Sequence, residues 1–223
     1  MKVAVLASGE GSNLQVLLDT VQGRHGIEIV AVASDKRSAR ALERAVAAEV
    51  EVASFPLDLF DDRAARDRAM AEWLLERGAE LVVLAGYMQL LGREFLAAFP
   101  ERVINVHPAL LPAFPGLNAI QQALSYGVKV FGVTVHFVDD GVDTGPVILQ
   151  RAIDLPDARE PEEVLERLHP IEHELLPEAV RLIARGAVRV DPENRRRVLI
   201  DRDAAVDPAD PGARPTASGM GDR

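Results

Sequence analysis

The sequence predicts an α/β fold: a mostly parallel central sheet flanked by helices, with an antiparallel hairpin toward the C-terminal end. Three observations predict it. Short apolar runs alternate with segments of helical periodicity over residues 3–106, the pattern of strands joined by crossover helices. The rhythm then changes: two β-rich runs, 130–138 and 147–155, are separated by a short acidic, Gly-containing connection that suits a hairpin. Hydrophobic residues make up 48% of the chain, which supplies a core large enough for such a sheet.

The elements follow in order. Residues 3–7 are short, apolar and ended by Ser8-Gly9, so they predict a buried strand. Residues 12–21 place Leu14, Leu17 and Leu18 at helical spacing. A β-branched run at 27–33 predicts the second strand, and 38–48 a helix with Leu42, Ala45 and Val46 on one side. Residues 52–55 predict a short strand. Residues 61–75 predict a helix opened by acidic side chains, which suit the positive end of the helix dipole. A fully apolar strand at 81–85, a short helix at 90–98 and a strand at 103–106 complete the alternating part. After the hairpin and its preceding helix at 119–126, residues 161–185 are helical. Pro161 suits the first turn, and Pro170 and Pro177 are expected to kink or divide the helix.

From about Asp201 the chain is mostly Asp, Ala, Pro, Gly and Arg, which cannot bury enough apolar area to offset its ordering entropy. Residues 201–223 are therefore expected to form a disordered tail, and residues 1–190 a single domain. The net charge of −10 argues against a nucleic-acid partner, whose phosphates need an excess of Lys and Arg. The absence of cysteine excludes disulfides, thiolate catalysis and a Cys-ligated metal. The N-terminal apolar run is too short for a signal peptide, and no stretch approaches a membrane span, so a cytoplasmic protein without a membrane partner is expected.

Three constellations could carry chemistry. In Asn105-Val106-His107-Pro108, Asn105 and His107 sit two apart at the end of an apolar run, so a strand points them to the same face. Pro108 ends that strand because it has no ladder donor. An amide able to donate to a developing oxyanion, next to an imidazole able to move protons at a strand carboxyl end, favours function over a structural histidine.

Gly9-Glu10-Gly11-Ser12-Asn13 lies between the first strand and the first helix, where glycines, free helix N–H groups and the dipole can cradle a phosphate. It is neither a dinucleotide fingerprint, since Leu14 stands at the third glycine position, nor a Walker loop. A tight turn capped by Ser12 or Asn13 is the competing explanation. In Asp139-Asp140-Gly141-Val142-Asp143-Thr144-Gly145-Pro146, the first two acids read as a solvated turn. Asp143, between Val142 and a Thr-Gly-Pro turn, could fold back onto His107, although spacing alone does not place it there. His136 reads as a partly buried strand histidine.

These segments, together with Leu81-Val82-Val83-Leu84-Ala85-Gly86-Tyr87-Met88 and Gly132-Val133-Thr134-Val135-His136-Phe137-Val138, occur in the order found in one family. Over about residues 1–190 the chain resembles the folate-dependent formyltransferases, and within them the branch acting on glycinamide ribonucleotide. The resemblance implies a Rossmann-like formyltransferase fold, with residues 1–190 as the catalytic domain. It implies transfer of the formyl group of 10-formyltetrahydrofolate, as co-substrate, to the amine of glycinamide ribonucleotide in purine biosynthesis.

It further implies Asn105, His107 and Asp143 as the catalytic trio, and Gly11, Ser12, Asn13 and Glu172 as substrate contacts. Arg63, Met88, Gln89, Leu90, Leu91, Val138, Asp139, Asp140 and Gly141 would lie on the folate side. No metal is implied, and a monomer or homodimer is expected. Gln89 departs from relatives that often carry a basic residue there, and Asn118 from members with His. A relative acting on tRNA is expected to add a C-terminal RNA-contacting domain and positive charge. A formyltetrahydrofolate deformylase is expected to add an N-terminal regulatory domain, whereas here the first strand begins near Lys2. A non-catalytic phosphate-binding module would need the Gly11-Ser12-Asn13 loop but not the trio.

Overall fold

In the computed structural model, which describes residues 1–201 and 204, a seven-stranded sheet runs in the order β3-β2-β1-β4-β5-β6-β7. Apart from Asp201 and Ala204, the tail expected at 201–223 lies outside the described residues. The chain enters at the centre with β1 (Lys2–Leu6) and crosses by α1 (Ser12–Thr20) to β2 (Glu28–Ser34). It then moves outward through α2 (Arg40–Ala47) to β3 (Glu51–Ser54). A 3-10 turn at Leu57–Leu59 and α3 (Arg63–Glu76) return it to β4 (Leu81–Leu84) on the other side of β1. Then follow α4 (Arg93–Ala98), β5 (Val103–His107), α5 (Ala119–Tyr126), β6 (Val130–Phe137), β7 (Val147–Asp154) and α6 (Pro161–Ala184). A two-stranded hairpin, β8 (Val188–Val190) and β9 (Val198–Ile200), completes the described chain.

The first five strands pair in parallel, whereas β6 runs antiparallel to both β5 and β7, as the change of rhythm predicts. The two-residue period divides β1 between two cores. Val3 and Val5 pack with α1, α2, α5 and α6, while Ala4 and Leu6 pack with α3 and α4 through Met70, Leu74 and Phe95. The chain leaves β1 in one direction and comes back to β4 on the other side, so the strand order reverses between them, the place where α/β sheets commonly bind ligands at their carboxyl ends.

Two boundaries differ from expectation. Of the two effects expected of Pro170 and Pro177, a kink or a division, the division does not occur: α6 is one element of 24 residues. Each proline removes one i→i−4 bond, but Val164, Leu168, Leu175, Leu176 and Val180 are nearly fully buried along the same helix and hold it against the sheet. The helix expected at 90–98 begins only at Arg93, because Gly92 is extended (φ −81°, ψ 173°) and gives its N–H to Asp67. Leu90 and Leu91 are thereby left in the loop between β4 and α4.

Candidate active site

Strand β5 ends at His107, and its register sets Asn105 opposite His136 and His107 opposite Thr134 on β6. After β6 the loop turns back and brings in Asp143, whose backbone is left-handed (φ 53°), a conformation Asp tolerates better than most residues. Its carboxylate is the hub of the cluster. Oδ2 stands 3.4 Å from His107 Nδ1 and accepts from the Gly116 N–H at 2.7 Å. Oδ1 stands 3.5 Å from His136 Nε2 and 3.4 Å from Asn105 Nδ2. Asn105 Nδ2 is also 3.3 Å from His136 Nε2. The sequence separates Asn105 and Asp143 by 38 residues, and only the hairpin brings them together.

The tautomers follow from the acceptors. His107 Nε2 faces the Phe114 carbonyl at 2.9 Å, and a carbonyl only accepts, so Nε2 carries a hydrogen. His136 Nδ1 faces the Phe137 carbonyl at 2.8 Å and donates in the same way, which leaves its Nε2 toward Asn105 and Asp143. Both nitrogens of His107 thus look onto oxygen. Burial by itself would push the Asp143 carboxyl up. Hydrogen bonds from His136 and Gly116 and the charges of the two imidazoles outweigh it and hold the group at about 2.

This cluster sits in the wall of a cleft of about 780 Å³, a size suited to a small organic ligand. Met88, Gln89, Leu90, Leu91, Val138, Asp139 and Gly141 line the same cleft. Met88, Leu90, Leu117 and Val142 are exposed apolar side chains on its wall. Gln89 bonds Asp35 at 3.2 Å, and Asn118, left-handed at the start of α5, is a further wall residue. Arg63, exposed at the start of α3, and Asp140, paired with Arg93 at 3.4 Å, are not on the wall.

Gly11, Ser12 and Asn13 form a second locus, at the start of α1. Gly11 has φ 71°, and an added Cβ would come within 2.8 Å of Ala41 Cα, so only glycine fits. Asn13, 8% exposed, donates from Nδ2 to Glu172 Oε2 at 2.9 Å, and its buried Oδ1 has no partner among the described residues. Glu172 is 6% exposed. Burial pushes its carboxyl up, opposed by the Asn13 bond and the charge of His169. The two loci are laced together at Ser8, whose Oγ accepts from the Met88 N–H at 2.8 Å.

Three features escaped the sequence analysis. His136 is 1% exposed and belongs to the Asp143 cluster. Its signal was the polar face it shares with Thr134, but only the β5–β6 register reveals Asn105 opposite it. Arg66 and Asp67 form a buried pair at 2.7 Å behind the cleft loop. Asp67 accepts from Gly92 N–H at 2.6 Å, and Arg66 donates to the Leu90 carbonyl at 3.3 Å. Phe114, left-handed at φ 55°, offers its carbonyl to His107.

The family described as "Formyl transferase" matches residues 1–180. The chain belongs to the formyl transferase family. It is 40% identical over 181 residues to the phosphoribosylglycinamide formyltransferase of Bacillus subtilis, covering 81% of this chain and 93% of that relative. It is 44% identical over 191 residues to the protein of the same name from Mycobacterium tuberculosis, covering 85% and 87%. The trifunctional purine biosynthetic protein adenosine-3 of Bos taurus is 40% identical over 203 residues, and there the match spans 20% of that much longer protein. Among solved structures of formyl transferases, glycinamide ribonucleotide transformylase 1 from Symbiobacterium toebii superposes with a TM-score of 0.86 at 46% identity, covering 90% of this chain and 93% of that one. Among the described residues of this formyl transferase, no helix is long and apolar enough to cross a membrane.

Proposed function

We propose that this chain transfers the formyl group of 10-formyltetrahydrofolate to the amine of glycinamide ribonucleotide, giving N-formylglycinamide ribonucleotide and tetrahydrofolate. The observation that carries this is the convergence of Asn105, His107 and Asp143 in the cleft of a chain whose relatives bear the name of that reaction. Such a step belongs to purine biosynthesis, and we place the protein in the cytoplasm, acting on small molecules with residues 1–190 as its catalytic unit.

The chemistry follows from the side chains. The substrate amine attacks the formyl carbon, a new C–N bond forms, and the carbonyl oxygen becomes an oxyanion. Asn105 Nδ2 donates to that oxygen, and protonated His107 adds positive charge beside it. Collapse breaks the bond to the folate nitrogen, which takes up a proton while the attacking nitrogen loses one. Asp143, held at about 2, stays ionised through the neutral range. It therefore orients His107, and the imidazole carries the proton, with water as relay.

We assign the nucleotide phosphate to Gly11, Ser12 and Asn13, and the ribose or glycinamide part to Glu172. The donor is assigned to the cleft wall of Met88, Gln89, Leu90, Leu91, Val138, Asp139 and Gly141. Arg63 and Asp140 are exposed and off that wall, so they meet the donor only where it extends out of the cleft. The test is loss of the donor's formyl group with and without glycinamide ribonucleotide. Turnover that requires the nucleotide is expected; equal turnover without it would replace transfer by hydrolysis.

A further inference from the structure

The loop at the start of α1 owes its shape to the neighbouring helix α2. Its backbone carbonyls are held from that side in succession. The Ala41 N–H donates to the Gly9 carbonyl at 3.0 Å, and Arg44 Nε donates to the Glu10 carbonyl at 2.8 Å. Arg44 Nη1 is fixed in turn by Gln15 Oε1 at 3.0 Å, so one guanidinium ties the loop to the first turn of α1. The close approach of α2 is the reason Gly11 has no room for a side chain.

In a planar trans peptide the C=O and N–H point in opposite directions. Two successive carbonyls drawn toward α2 therefore turn the N–H groups of Glu10 and Gly11 away from it. The Gly11 carbonyl accepts from Gln15 N–H at 2.9 Å as α1 begins, so the Ser12 N–H points back out of the helix. Among the described residues, no hydrogen bond uses the N–H of Glu10, Gly11, Ser12 or Asn13. Asn13, nearly buried, is held at the helix start by the hydrogen bond its Nδ2 gives to Glu172 Oε2. The result is a run of free donors at a helix start, which is what an anion requires.

We propose that Arg44 is a positioning residue for the nucleotide phosphate: by anchoring the Glu10 carbonyl it aims the backbone donors of the 10–13 loop at the anion. This rests on the assignment of that loop to the phosphate. Arg40 provides the contrast. It sits one turn earlier on α2 and pairs with the exposed Glu10 carboxylate at 3.0 Å, touching no loop carbonyl. Arg40 brings charge to the region without shaping the backbone.

The experiment compares kcat/KM for glycinamide ribonucleotide and for its dephosphorylated riboside in the parent, Arg44→Met and Arg40→Met. The ratio of the two substrates within each variant cancels any difference in the fraction folded, and thermal melts record folding separately. Arg44→Met is expected to lose about tenfold or more of the preference for the nucleotide, the worth of a hydrogen bond to a charged group. The loss should lie in KM for the nucleotide, with kcat at saturation and KM for the formyl donor little changed. Arg40→Met should keep the parent's preference. A parent without preference for the nucleotide would overturn the phosphate assignment itself. A parent with preference that Arg44→Met retains would overturn the role of Arg44 alone. An equal loss in Arg40→Met would also overturn it, since charge rather than carbonyl anchoring would then be what matters.

Discussion

His107 is held on both nitrogens, by the Phe114 carbonyl at 2.9 Å and by Asp143 at 3.4 Å. His107→Ala should leave the protein folded and lower kcat by about 10²–10⁴, the usual worth of a positioned proton carrier, in single-turnover and steady-state assays. Glu172 makes a prediction of opposite character. Its carboxyl is raised above the ordinary 4.5, so stability falls as pH rises from that value through the folded one. Glu172→Gln abolishes that titration. Melting curves from about pH 4 to about pH 8 should show the variant gaining on the parent, while its KM for the nucleotide rises. Asp143 has the reverse sign: its contribution is present above the ordinary 3.8 and is lost as pH falls through about 2. At this scale the sequence was informative where neighbours decide. Asn105 and His107 share a face by strand period alone. Asp143 and His136 come from a loop and a partner strand, and no spacing rule connects residues 31 and 38 positions away.

The loop between β4 and α4 shows how an element is braced from behind. Asp67, fully buried, accepts from Arg66 and from the Gly92 N–H, and Arg66 reaches the Leu90 carbonyl. Asp67→Ala leaves the guanidinium buried without its counter-charge, a loss of about 3–5 kcal/mol expected in denaturant melts. It should also raise KM for the formyl donor more than KM for the nucleotide, because the released loop carries Leu90 and Leu91. The pair escaped the sequence because Arg-Asp inside a run of Ala and Arg has the look of a solvated helix face; burial was supplied by α4 and the loop that pack over it. The uninterrupted α6 has a similar origin. Proline rules describe a helix in isolation, whereas Leu168, Leu175, Leu176 and Val180 fasten this one to the sheet on either side of Pro170 and Pro177. Most other element boundaries moved by only a residue or two, since apolar period fixes where a strand or helix is buried better than where it frays.

Across the whole molecule, the parallel half of the sheet was legible from alternation alone, while the strand order and the meeting of the two loci through Ser8 and Met88 were not. The chain carries a net charge of −10, yet its proposed nucleotide is anionic. With the phosphate met by backbone N–H groups rather than a cationic patch, kcat/KM for the nucleotide should stay flat or rise between low and physiological salt, as screening weakens repulsion by the acidic surface. A steep fall would place cationic side chains on the phosphate instead. The glycine at position 11 carries a consequence for inhibition. A compound that drew its affinity from the amides of Glu10 and Gly11 would grip atoms common to every amino acid except proline. Proline cannot adopt φ 71°, and any other replacement drives a Cβ into Ala41. Point substitutions at Gly11 therefore offer no route to resistance that spares the loop: a change that evicts the drug also evicts the substrate.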